Sequence, residues 1–202
     1  MQLFETMRLE EGQIPRLSYH YERLAHACDD LNFQFDPEKW HREIEYLTSH
    51  YPNGVWRLKV RVDAQGEVTS EIAELPTKSR FSARFQPSHP SADPSRVTHK
   101  TTDRSHLEHD HQTDLILLYR SDGKVLEFDI GNIVIEEAGE WYTPANDGDL
   151  LEGCKRRELL ATGKLQIRNY QKAELIEKLR TQRIKVYMIN SLREVAEVDI
   201  HL

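Results

Sequence analysis

The chain has 202 residues, 38% of them apolar and 30% charged, a composition too apolar for disorder and ordinary for a globular fold of one domain or two small ones. Its 27 basic and 34 acidic residues give a net charge of −7 with no basic run, which argues against a nucleic-acid partner. No apolar stretch approaches the ~18 residues of a membrane helix, and Met1-Gln2-Leu3-Phe4-Glu5 lacks the basic flank and apolar core of a signal peptide, so no membrane partner and a cytoplasmic location are expected.

Leu3 to Arg8 reads as a strand, Glu10-Glu11-Gly12-Gln13 as a turn and Ile14 to Leu17 as a return strand. Ser18 is the expected N-cap of a helix whose apolar stripe holds Leu24, Ala27, Cys28 and Leu31. Asp36 as cap and Pro37 at the first helical position open a second helix, with Trp40, Ile44 and Leu47 on one side. Val55 to Val62 alternates apolar and basic residues, which predicts a strand with one cationic face, and Val68 to Leu75 is its expected antiparallel partner. After a further strand at Arg80 to Phe85, three prolines and three serines in Gln86 to Ser95 mark a boundary. The second half predicts strands at Asp114–Tyr119, Val125–Phe128, Ile130–Glu136, Gly139–Pro144, Leu165–Asn169, Lys185–Ile189 and Val195–Ile200, with helices at Lys155–Thr162 and Lys172–Lys178. The class is α+β, or mixed α/β: an N-terminal lobe over 1–86, an interdomain loop over 87–95 and a C-terminal lobe over 96–202.

Several residues could carry chemistry. Lys100, directly after the boundary loop, is a candidate amine nucleophile if desolvated; solvated surface is the plainer reading. Glu127 lies between apolar residues of a hairpin, where a carboxylate needs a partner, unless it faces a strand edge. Gly153-Cys154-Lys155-Arg156 places a glycine at a helix start, whose N–H groups suit a phosphate but are also common without one. Asn190-Ser191 offers another N–H and a hydroxyl, or a plain turn. Arg57, Lys59 and Arg61 share a strand face that could meet an anion or only solvent. His106, His109 and His111 fit no zinc signature and read as a polar, exposed segment, so no metal is expected. Cys28 and Cys154 imply neither a disulfide framework nor a zinc knuckle, and Cys28 is expected in the core.

The order of these signals is more informative than any one of them. Phe4-Glu5-Thr6-Met7-Arg8, His20-Tyr21-Glu22-Arg23-Leu24 and His99-Lys100-Thr101-Thr102-Asp103-Arg104 are followed by Asp122-Gly123-Lys124-Val125-Leu126-Glu127 and Asn132-Ile133. Then come Thr143-Pro144, Leu151-Glu152-Gly153-Cys154-Lys155-Arg156 and Asn190-Ser191-Leu192-Arg193-Glu194-Val195. This series resembles the class IV aminotransferases, the fold-type IV pyridoxal-phosphate enzymes related to D-amino-acid aminotransferase, over nearly the whole chain. Its opening, its lysine segment and its ending are most similar to the aminodeoxychorismate-lyase branch.

The resemblance implies a two-lobed enzyme with pyridoxal 5′-phosphate as cofactor, acting on a small amino substrate as a homodimer. Lys100 matches the lysine that forms a Schiff base with the cofactor. Glu127 matches the acid paired with the pyridine nitrogen, Arg23 the arginine that holds the phosphate, Cys154 and Lys155 the phosphate-binding pair at a helix start, and Ser191 a further phosphate donor. Thr6, Arg8 and Arg57 fall on the substrate side. The implied reaction converts 4-amino-4-deoxychorismate to 4-aminobenzoate and pyruvate, with transamination of a branched-chain or D-amino acid, or cofactor binding without catalysis, as alternatives. Relative to the family the chain is N-terminally short. Lys155 stands where threonine or serine is frequent, and Ser105 where some members carry a tyrosine.

Overall fold

Asp36 and Pro37 start their helix as expected. The Asp36 side chain accepts hydrogen bonds from the backbone N–H groups of Glu38 (2.9 Å) and Lys39 (3.3 Å), and Pro37 occupies a position whose missing N–H costs nothing. This helix, α2 (Pro37–His50), follows β1 (Leu3–Glu10) and α1 (Leu17–Asp30). The expected return strand at Ile14–Leu17 does not form. Glu10 pairs with Gln13 in a single bridge, Pro15 has no N–H to extend a ladder, and α1 begins at once. Ser18 is not the cap of α1: Arg16 takes that position in the left-handed conformation (φ 62°), and no side chain caps the helix.

The computed structural model describes residues 1–75, 77–88 and 94–202. They group into two compact units, Met1–Thr77 with His99–Asp103, and Lys78–Thr98 with Arg104–Leu202. The division differs from the lobes expected at 1–86 and 96–202: Lys78–Thr98 joins the second unit and His99–Asp103 joins the first. The expected loop, 87–95, falls largely on 89–93, outside the described residues.

In the first unit β1, β2 (Val55–Val62) and β3 (Val68–Glu74) form an antiparallel sheet in that order. Its apolar side, with Leu3, Met7, Leu9, Leu58, Val60 and Val62, packs on Leu24, Ala27 and Cys28 of α1 and Trp40, Ile44 and Leu47 of α2. Strand alternation thereby places the intervening residues on the opposite face. The Lys100 segment lies against β1: the Phe4 N–H donates to the Lys100 carbonyl at 3.0 Å, and Leu3 bridges Thr101.

The second unit carries β4 (Arg80–Pro87), the short turn α3 (Ser95–Thr98), β5 (Leu115–Tyr119), β6 (Val125–Phe128), β7 (Gly131–Glu137) and β8 (Glu140–Thr143). Then follow α4 (Cys154–Ala161), β9 (Gln166–Ile167), α5 (Lys172–Arg180), β10 (Ile184–Asn190) and β11 (Glu194–His201). The pairings run β10-β11-β4-β5-β6-β7, and β7 pairs with β10 again, so six strands close a barrel-like ring, with β8 and β9 branching from β7. Phe128, Ile133, Ile135, Tyr170, Leu175 and Met188 are among its core residues. The strand expected at Leu165–Asn169 shrinks to the two residues of β9. Among the described residues no helix is long and apolar enough to cross a membrane.

Candidate active site

Two groups of side chains stand out, one in each unit. In the first, register decides the arrangement. Thr6 lies opposite Lys59, Arg8 opposite Arg57 and Phe4 opposite Arg61, so these six residues share the face of the sheet turned away from α1 and α2. Lys100 joins them: its Nζ is 4.8 Å from the centroid of the Phe4 ring, and Lys59 Nζ is 4.6 Å from the same centroid. Carboxylates temper the like charges. Glu10 accepts from Arg8 at 2.8 and 3.2 Å, and Glu71 accepts from Arg61 at 2.8 Å and from Arg57 at 3.4 Å. The cationic face expected from the alternation of β2 is therefore present, with Thr6, Arg8 and Arg57 on it and Lys100 beside Phe4.

Arg23 is on the other face. Its Nε donates to Glu5 Oε1 at 2.8 Å and its Nη2 to Glu5 Oε2 at 2.5 Å. His20 Nδ1 lies 2.6 Å from Glu5 Oε2; because an ionised carboxylate only accepts, Nδ1 carries the proton. Glu5 is almost wholly buried. Burial alone would raise its pKa, but Arg23 and the His20 hydrogen bond outweigh burial and bring it to about 2. His20 is buried too, and there desolvation outweighs Glu5 and lowers the imidazole pKa below 6.5. Glu5 and His20 had no role assigned from sequence. The available signal was an acid on the apolar side of β1, between Leu3 and Met7.

In the second unit Glu127 is buried, 9% exposed, on β6. Its Oε1 accepts the Leu151 N–H at 2.8 Å and its Oε2 accepts Asn132 Nδ2 at 3.0 Å. Asn132 Nδ2 also donates to the Leu151 carbonyl at 2.9 Å, while its Oδ1 takes the Gly153 N–H at 3.0 Å. One side chain thus fixes both the acid and the entry to α4. Asn132 stands opposite Glu127 in the β6–β7 register. Gly153 is required for space: its φ is −68°, but a Cβ there would run into Asn132 Oδ1.

Gly153 caps α4 without a side-chain hydrogen bond, so no cap side chain takes the N–H groups of the first turn. Cys154 is buried. Lys155 Nζ bonds Glu158 at 2.6 Å and Glu194 at 2.7 Å, which ties the first turn of α4 to the start of β11. Ser191, buried, opens the turn between β10 and β11, where Asn190 Oδ1 accepts the N–H groups of Leu192 (3.0 Å) and Arg193 (2.8 Å). Buried Arg156 braces the same region by donating to the Pro144 carbonyl at 2.8 Å, and burial lowers its pKa against the pull of Glu152 and Glu127.

The histidine segment is largely exposed, as its polarity predicts, with His109 as the exception. His109 has a side chain only 3% exposed, with Nε2 3.5 Å from Asp129 Oδ2, beside a cavity of about 430 Å³ that Arg104, Leu107 and Ile130 also line. The His111 N–H donates to His109 Nδ1, which assigns the proton to Nε2, facing Asp129.

Residues 2–200 match the family model described as amino-transferase class IV. A Schizosaccharomyces pombe protein named "Putative aminodeoxychorismate lyase" is 26% identical over 206 residues, 96% of this chain and 87% of its own. The crystal structure of a "Putative amino-acid aminotransferase" from Mesorhizobium loti is similar over 99% of both chains, with a TM-score of 0.84 and 23% identity. That of "A hypothetical aminotransferase from Mycobacterium tuberculosis, PLP-bound form" covers 98% of this chain and 81% of its own, with a TM-score of 0.81 and 18% identity.

Proposed function

The chain belongs to the amino-transferase class IV family, and on that footing we propose that it binds pyridoxal 5′-phosphate at Lys100 and releases 4-aminobenzoate and pyruvate from 4-amino-4-deoxychorismate. The observation that carries the cofactor reading is Glu127. A buried carboxylate whose two oxygens are each held by a protein N–H is a fixed anion, and each oxygen accepts up to two hydrogen bonds. The donor set fits the cofactor's chemistry: an amine for its aldehyde, an acid for its ring nitrogen, and helix N–H groups with a serine for its phosphate. Similarity to the S. pombe protein supports the lyase over other members of the family.

When bound, pyridoxal phosphate supplies an electron sink for the carbon that bears the substrate amine. Glu127 would hold a proton at the pyridine nitrogen. The first-turn N–H groups at Cys154 and Lys155, with Ser191 and Arg23, would hold the phosphate. Lys100 Nζ would take the proton from the amine-bearing carbon as general base. Breaking the bond to the enolpyruvyl oxygen would then expel enolpyruvate, which takes up a proton at its methylene carbon to become pyruvate, and the six-membered ring would become aromatic. Thr6, Arg8 and Arg57 orient the substrate, the guanidinium groups reading carboxylate. We further propose a homodimer as the working unit, which sedimentation measures.

The test is the visible spectrum of the protein with added pyridoxal phosphate, before and after borohydride, in wild type and Lys100→Ala, followed by an assay for 4-aminobenzoate. A reducible band present only in wild type, together with 4-aminobenzoate release, supports the reading. Absence of the band refutes it. A band with amino transfer to a 2-oxo acid and no 4-aminobenzoate replaces the lyase by a transaminase.

A further inference from the structure

Lys100 sits at the apex of a tight turn. The Thr101 N–H donates to the His99 carbonyl at 3.1 Å, which closes three residues around it. Beyond the turn the backbone is held on β1. Leu3 bridges Thr101, the Thr102 N–H donates to the Gln2 carbonyl at 2.8 Å, and Thr102 Oγ1 accepts the Gln2 N–H at 3.0 Å. Before the turn stands His99, the residue at which the chain re-enters the first unit. Its side chain is 10% exposed and places Nε2 3.1 Å from Asp30 Oδ2, at the end of α1. The same oxygen lies 3.4 Å from Nε2 of His26, one helical turn earlier, and the two imidazole rings meet edge to face with centroids 6.2 Å apart. An ionised carboxylate only accepts, so both rings turn a protonated Nε2 toward Asp30.

The helix itself does not call for this acid. Asp30 is the last residue of α1, beside carbonyls without intrahelical partners, where the macrodipole favours a cation and disfavours an anion. Asp29 adds a second acid to the same turn, and that turn holds no basic residue. What Asp30 gains at this position is its contact with His99 and His26.

We propose that Asp30 and His99 are positioning residues for Lys100: their pair clamps the entry to the turn, as β1 clamps its exit, and so aims the amine at its place beside Phe4. The proposal rests on the reading of Lys100 as the amine that meets the cofactor. Asp30 and His99 act through the backbone of the turn, and His26 steadies the carboxylate between them. The Phe4 N–H, which donates to the Lys100 carbonyl at 3.0 Å, reports directly on the apex.

Asp30→Ala, His99→Ala, the double variant and the conservative Asp30→Glu test this with three readouts. These are the urea midpoint, amide hydrogen exchange at Phe4 and Thr102 without cofactor, and the rate at which pyridoxal phosphate produces the reducible visible band. Asp30→Ala is expected to keep the urea midpoint of wild type or raise it, because α1 sheds an unfavourable acid. Exchange at the two amides should nevertheless accelerate at least about fivefold, and the band should form about tenfold more slowly, the scale of a small misplacement of a reacting group. Asp30→Glu, which retains the carboxylate, should recover most of both losses, and the double variant should be no worse than either single change. Unchanged exchange in Asp30→Ala, an unchanged rate of band formation, or losses that add in the double variant each overturn the proposal. So does a slowing that merely follows a lowered urea midpoint, which reports general damage. Wild type separates the two readings: with no band there, the role of Lys100 falls and the positioning role with it. A wild-type band indifferent to Asp30→Ala and His99→Ala leaves Lys100 in place and removes the clamp alone.

Discussion

Asn132 is the partner that decides what Glu127 can be. Its Nδ2 donates to Glu127 Oε2 at 3.0 Å while its Oδ1 accepts the Gly153 N–H at 3.0 Å. The amide cannot turn over without setting Oδ1 against a carboxylate and leaving Gly153 N–H facing a donor. The orientation of one side chain therefore requires an acceptor at position 127.

Glu127→Gln is expected to fail for that reason as well as through its lost charge. A glutamine can accept the Leu151 N–H, but its own NH2 then meets Asn132 Nδ2, donor against donor. Turnover should fall about a hundredfold or more, the scale of a lost proton-holding group. Steady-state kinetics with excess pyridoxal phosphate checks this, and a fall of less than threefold would remove Glu127 from the site.

Gly153→Ala should destabilise the second unit by about 1–3 kcal/mol, the usual cost of forcing a methyl into a filled space. The backbone there is unstrained, so the cost is contact with Asn132 alone. Adding Asn132→Ala to Gly153→Ala should therefore cost less than the two single changes together. Urea unfolding of the four variants measures the coupling; strict additivity would contradict the contact.

Acid should weaken the first unit in a defined window. The Glu5 pKa is depressed from 4.5 to about 2, so its contribution is complete above 4.5 and is lost as the pH falls toward 2. The depression corresponds to about 3 kcal/mol. His20 acts in the same sense: below 6.5 the unfolded chain takes up a proton that the buried ring resists, so stability declines on acidification. Glu5→Gln should unfold at lower urea at pH 7, by about 3–5 kcal/mol, and lose most of the steep decline below pH 4.5. Urea midpoints from pH 7 to pH 3 give the comparison.

Lys155→Met is expected to leave pyridoxal-phosphate affinity within about threefold. The Lys155 ammonium already bonds Glu158 and Glu194, and a phosphate at the start of α4 would meet the backbone N–H instead. Stability should drop by about 1 kcal/mol through the lost tie to β11. Fluorescence titration with pyridoxal phosphate and thermal unfolding separate the two effects.

Much of the fold was legible because its signals are local. Asp36-Pro37 announced α2, and the period-two alternation of Val55–Val62 announced a strand with one charged face. The return strand at Ile14–Leu17 failed because apolar residues flanking a proline resemble a strand until a hydrogen-bond partner is sought. Within the candidate site, the motif order singled out Lys100 and Glu127. Asn132 carried no assigned role, since its importance comes from standing across the hairpin from Glu127. Lys59 could not be aimed from the sequence, because a register slip of one residue reverses the face. His109 looked solvated because its partner, Asp129, lies twenty residues away.

The ring of the second unit also dictates how that unit must assemble. Arg80 pairs with Glu197, and β4 is flanked by β11 on one side and β5 on the other. Closure thus joins strands separated by more than a hundred residues, and the loop-closure entropy falls due before the barrel core rewards it. Until β11 docks, β4 and β10 each present a bare row of N–H and C=O groups, the template on which strands of separate molecules aggregate. Once the ring is shut neither strand offers that edge, so protection from aggregation arrives in one step with the final strand.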